Sequence, residues 1–134
     1  MLSPKKTKFR KMHRGRLKGY ASKNNKLFYG SYGIQILKPA WLSSQLLETI
    51  RKLISRYTKR TGKLWFKIFP DKPITARAKE SRMGSGKGSV IYWVAIVKPN
   101  TILLELDNIS KVLAYKALTA ITYKLPVKSK IITK

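Results

Sequence analysis

Cysteine is absent from the 134 residues, which excludes a disulfide framework and thiol chemistry. Histidine occurs once, at His13, and the acids number five: Glu48, Asp71, Glu80, Glu105 and Asp107. One imidazole without a carboxylate cluster makes neither a metal site nor a catalytic triad, and no two of the acids have the spacing of an acid/base pair. An enzyme is therefore not expected, and neither a metal nor a cofactor. No apolar run approaches the roughly 18 residues that a membrane-spanning helix takes. The opening stretch MLSPKKTKFRKMHRGR lacks the apolar centre of a secretory signal. That leaves a bacterial cytoplasm or synthesis inside an organelle as the compartments compatible with the chain.

The scarcity of acids is set against 30 Lys and Arg, which gives a formal net charge of +25. Small domains usually carry a net charge of magnitude about 2 to 8. A chain at +25 repels itself and is best accommodated beside a polyanion. Membrane-surface proteins gather such charge on one amphipathic helix. Here it runs from Lys5 to Lys134 through every kind of segment, which favours nucleic acid over a membrane. A content of 43% hydrophobic and 10% aromatic residues is enough for the core of one folded domain.

Residues 1–26 hold ten basic residues, no acid and no apolar period. They read as an extended basic arm that orders on RNA, ahead of a single domain over 27–134. Alternation around Tyr29–Leu37 predicts a strand with Tyr32, Ile34 and Ile36 on one face. The spacing of Leu46, Leu47, Ile50, Leu53, Ile54 and Tyr57 predicts a helix over 43–60, capped by Ser43 or Ser44, with Glu48 in its first turn and Gly62 as its stop. Its opposite face carries Arg51, Arg56, Lys59 and Arg60, which become candidate RNA contacts. Leu64–Phe69 reads as a strand, 70–73 as a turn and 76–89 as a long Gly-rich loop. Val90–Val97 and Ile102–Leu106 read as a hairpin, 110–124 as a second helix and 127–133 as a last strand. The expected fold is α+β: a compact two-layer sandwich of two helices on one face of a mixed or antiparallel sheet.

The segment GSGKGS (84–89) resembles a phosphate loop only superficially. Ser81 stands where the first Gly of that motif belongs, Gly88 follows Lys87, and a strand rather than a helix comes next. Glycines still let backbone N–H groups approach an anion, and Arg82 and Lys87 add charge. Phe9, Tyr20, Phe28 and Tyr29, in or beside the arm, are candidates for stacking on bases. Trp65, Phe66, Phe69, Tyr92 and Trp93, inside strands, are expected in the core.

PKKTKFRKMHRGR (4–16), KPAW (38–41), FPDKPIT (69–75), RMGSGKGS (82–89) with YWVA (92–95), and LP (125–126) together resemble the family of large-subunit ribosomal protein sixteen. The resemblance spans nearly the whole chain in order. MLSPK, KPAW and the serine of RMGSGKGS are closest to its plastid branch, although Val90-Ile91 stands where plastid members usually have Pro and an acid. The resemblance implies a non-enzymatic component of the large ribosomal subunit, in the plastid. It implies binding to 23S-type rRNA near the base of the central protuberance, where the protein helps shape the A-site tRNA region. Implied rRNA contacts are Lys5, Lys6, Lys8, Arg10, Lys11, His13, Arg14, Arg16 and Lys18 of the arm. The loop residues Arg77, Arg82, Met83, Gly84, Gly86 and Lys87 are implied at the rRNA and tRNA side. Further partners are 5S rRNA, A-site tRNA and neighbouring subunit proteins, with no homo-oligomer. The competing reading from composition alone is a free-standing RNA chaperone or maturation factor; a nuclease would need acids or a base that the chain does not supply.

Overall fold

The computed structural model describes residues 2–134. Its elements in chain order are β1 (Tyr32–Ile36), β2 (Ala40–Ser43), α1 (Ser44–Tyr57), β3 (Lys63–Phe66), β4 (Lys72–Ala76), β5 (Ser89–Val97), β6 (Ile102–Asp107), α2 (Lys111–Lys124) and β7 (Ser129–Thr133). The α+β class is as expected, but the strands form two antiparallel sheets rather than one. Four strands are ordered β3-β6-β1-β7, and three are ordered β2-β5-β4.

The expected hairpin of 90–97 with 102–106 does not form. Both edges of β5 are taken, by β2 and β4. The turn after β5 instead pairs with the end of β1: Asn100 N donates to Ile36 O at 2.7 Å, and Ile36 N to Thr101 O at 2.9 Å. That turn, with Asn100 at φ 71°, carries the chain from the smaller sheet into the larger one. There β6 runs between β1 and β3.

Helix α1 starts where its cap requires, with Ser43 Oγ accepting from Leu46 N at 3.2 Å. It ends sooner than the apolar pattern predicts. Thr58 is the C-cap, and Lys59 and Arg60 turn left-handed at φ 50° and 65°, ahead of Gly62. Glu48 lies beyond the first turn and pairs instead with Arg51 at 2.6 Å. The Arg51 hydrogen bond holds the Glu48 carboxyl below the usual carboxylate range. Ser110 precedes α2, but its side chain makes no capping hydrogen bond.

One core lies between the helices and the two sheets. Leu47, Ile50 and Ile54 of α1 and Leu118 and Ile121 of α2 meet Ile34, Ile36, Leu104 and Leu106 of the larger sheet and Leu42, Ala95 and Val97 of the smaller. Leu53, central in the apolar stripe by spacing, is only partly buried.

The far face of the larger sheet is not left to solvent. The register aligns Gly33, Glu105 and Trp65 in one row across β1, β6 and β3. The chain just before β1 is bonded over that face. Ala21 N donates to Pro99 O at 3.0 Å and Ile102 N to Asn24 O at 2.9 Å. Asn24 Nδ2 donates to Lys67 O at 3.3 Å and Ile102 O at 3.0 Å. Gln35 Nε2 donates to Asn25 O at 3.4 Å.

Glu105 fixes this crossing. Its side chain is fully buried, and Oε2 accepts the backbone N–H groups of Phe28, Tyr29 and Gly30 at 3.0, 2.7 and 2.8 Å. Lys67 Nζ stands 3.7 Å from Oε1. Gly30 is required here, because a Cβ would lie 2.6 Å from Leu106 O.

Candidate nucleic-acid interface

Residues 2–26 contain no helix or strand. All nine basic and imidazole candidates of the arm, Lys5, Lys6, Lys8, Arg10, Lys11, His13, Arg14, Arg16 and Lys18, have exposed side chains. The Gly-rich segment is the tip joining β4 to β5, two neighbouring antiparallel strands, so it projects from the end of the smaller sheet. Strand β4 occupies positions that prolines mark as a turn. Pro73 fits because β4 is an edge strand, where a missing N–H costs no ladder bond.

The arm and the loop meet. Lys11 Nζ donates to Lys87 O at 2.6 Å, and Lys87 Nζ donates back to Met12 O. Two residues on, Lys72 Nζ donates to Arg14 O. Lys72 is 8% exposed, its ammonium 4.8 Å from the centre of the Trp41 ring, and the Arg14 guanidinium is 5.7 Å from the same ring. The negative face of an indole attracts both cations and offsets part of their mutual repulsion. A cleft of about 240 Å³, lined by Met12, Arg14, Lys72 and Lys87 among others, lies along this seam.

Within the loop Arg77 points inward. Its guanidinium donates to Arg82 O and, at 3.3 Å, to Gly84 O, with Met83 Sδ at 3.4 Å. Gly84, Ser85 and Gly86 follow at φ 112°, 58° and 77°. Arg77, itself exposed, thus shapes the tip, and Arg82, Met83 and Lys87 are exposed beside it, Met83 by 93%. On α1 the candidates separate. Arg51 is engaged by Glu48, Arg56 borders a groove with Lys52, Tyr57 and Lys124, and Lys59 and Arg60 lie past the helix end. The helix face is therefore a weaker cluster than the arm–loop seam.

Three contributors escaped sequence reasoning. Trp41 and Lys72 sit in strands too short or too proline-marked to show alternation, and Glu105 reads as one of five scattered acids. Among the described residues no group of three or more His, Cys, Asp or Glu could hold a metal ion, and no helix is long and apolar enough to cross a membrane.

The seam is held by single lysine-to-carbonyl bonds, each worth about 1 kcal/mol net. Such contacts open often. Trypsin is expected to cut the free protein within residues 5–18 and to spare 21–30. Lys87→Met is expected to speed the cutting several-fold, as read by mass spectrometry of the first fragments.

Comparison with known proteins agrees with the motif pattern. The chain is 54% identical to the large ribosomal subunit protein uL16c of Emiliania huxleyi over all of this chain and 97% of the relative. It is 56% identical to that of Trieres chinensis, covering 98% of it, and 55% identical to that of Gracilaria tenuistipitata, covering 99%. The family model for ribosomal protein L16p/L10e matches residues 4–132, and the chain belongs to that family of ribosomal proteins.

Proposed function

We propose that the protein is a structural, non-enzymatic component of the plastid large ribosomal subunit that grips 23S-type rRNA with its arm and Gly-rich loop acting as one surface. The observation that carries this reading is the seam at Lys11, Met12, Arg14, Lys72 and Lys87, which makes one basic face from two segments far apart in sequence. The mechanism is charge neutralisation. Lysine and arginine replace the counterions of closely packed phosphates, and release of those ions drives binding. Arg donors add bidentate geometry that Lys lacks.

The loop tip is the element we assign to the A-site tRNA side. It is exposed, and its shape is held from within by Arg77, so little folding energy depends on the Arg82 side chain. Arg82→Ala is expected to leave the melting temperature nearly unchanged and to slow A-site tRNA accommodation several-fold in ribosomes carrying the variant. Arg82→Lys restores only part of the rate. Normal accommodation in Arg82→Ala ribosomes would reduce the loop to an rRNA-packing element. A salt wash at high ionic strength separates a subunit component, which stays with the large subunit, from a loosely bound chaperone, which is released.

A further inference from the structure

Away from the arm–loop seam, three aromatics and a cation gather at the edge strand β3. Tyr29 stacks on Trp65, with ring centres 5.9 Å apart and planes inclined by 25°. The Lys67 ammonium lies 4.5 Å from the centre of the Tyr29 ring and 5.4 Å from that of Phe28. Trp65 and Lys67 are two apart along an extended chain, so their side chains leave the same face of it. The outer side remains in water: Tyr29 is 62% exposed and Phe28 66%.

Exposed aromatics are normally mobile, but these are not free to reorient as a unit. The backbone N–H groups of Phe28 and Tyr29 are both bonded to the fully buried Glu105 carboxylate. One oxygen of a buried carboxylate thus holds a segment whose side chains stay outside. We infer that Phe28 and Tyr29, with Lys67 beside them, form a preset platform on which one unpaired rRNA base stacks. The chemistry selects that occupant. An aromatic face accepts any base, the ammonium favours the adjoining phosphate, and a chain of net charge +25 brings polyanions to every surface. The inference rests on the RNA-binding reading above and adds a specific site to it.

The test uses the full-length protein and two RNA hairpins, one fully paired and one identical except for a single bulged 2-aminopurine. The protein is expected to bind the bulged hairpin about tenfold more tightly, with quenching of the 2-aminopurine fluorescence as the base stacks. Tyr29→Leu and Phe28→Leu are expected to abolish the preference and the quenching and to leave the affinity for the paired hairpin unchanged. The melting temperature stays the same in Phe28→Leu and falls by only a few degrees in Tyr29→Leu, which loses the Trp65 stack. Equal binding of the two hairpins by the unaltered protein, or a preference that survives both substitutions, overturns the platform while the RNA-binding reading stands. Binding of neither hairpin overturns that reading and the platform with it. In assembled subunits, a benzophenone side chain at position 28 is expected to crosslink to an unpaired rRNA nucleotide. An adduct to a neighbouring protein instead overturns the assignment of the occupant.

Discussion

Raising salt from 50 to 200 mM is expected to weaken binding to a large-subunit rRNA fragment by about four orders of magnitude. If the folded protein neutralises about eight phosphates of duplex-like RNA, log K falls against log salt with a slope near −7. The arm supplies Lys5, Lys6, Lys8, Arg10, Arg14, Arg16 and Lys18 in exposed positions, and the loop supplies Arg82 and Lys87. Lys11, Lys72 and Lys87 are partly committed to backbone carbonyls, and Arg51 to Glu48, so they add less than a count of charges implies. A titration series at four or five salt concentrations measures the slope. A slope near −2 would contradict an affinity built on phosphate neutralisation.

The largest effect on folding is expected at Glu105. Removing its carboxylate in Glu105→Ala leaves three backbone N–H groups without their acceptor and the Lys67 ammonium without its counter-ion. Stranding buried or half-buried backbone donors costs about 1–3 kcal/mol each, so the three together put the loss at about 3–5 kcal/mol. For a domain of this size that lowers the melting temperature by roughly 10–15 °C. Glu105→Gln keeps an acceptor oxygen of nearly the same shape and is expected to lose clearly less. Denaturant unfolding of both variants checks the order. Equal loss in the two would mean that the charge, rather than the hydrogen bonds to residues 28–30, holds the crossing segment.

Much of this fold is legible because its periodic elements are long. The apolar stripe of Leu47, Ile50 and Ile54 marks α1, the alternation of Tyr32, Ile34 and Ile36 marks β1, and the apolar run after Ser89 marks β5. Strand β2 is four residues long, too short to show a period. Strand β4 hides behind Pro70 and Pro73, since prolines read as turn residues unless the strand is known to be an edge. The partners of β5 differ from the expected hairpin because a short turn at Pro99 and Asn100 between apolar runs ordinarily makes one, and only long-range pairing with Ile36 shows that this one changes sheets.

The same division governs the site. Charge and glycine placed the arm and the loop, which are local in sequence. Their meeting at Lys11 and Lys87, 76 residues apart, and the role of Glu105 toward residues 28–30 are products of topology. The aromatics divide in the same way. Phe66 packs against the core as expected, while Trp65 lies outside it, stacked on Tyr29, and Phe69 and Tyr92 remain 49% and 42% exposed.

Photocrosslinking from positions 14 and 82 within assembled plastid large subunits tests most directly whether arm and loop grip rRNA together. Adducts from both positions to neighbouring nucleotides of the 23S-type rRNA are the predicted result. Adducts confined to ribosomal proteins, or an arm adduct remote from any loop adduct, would contradict it.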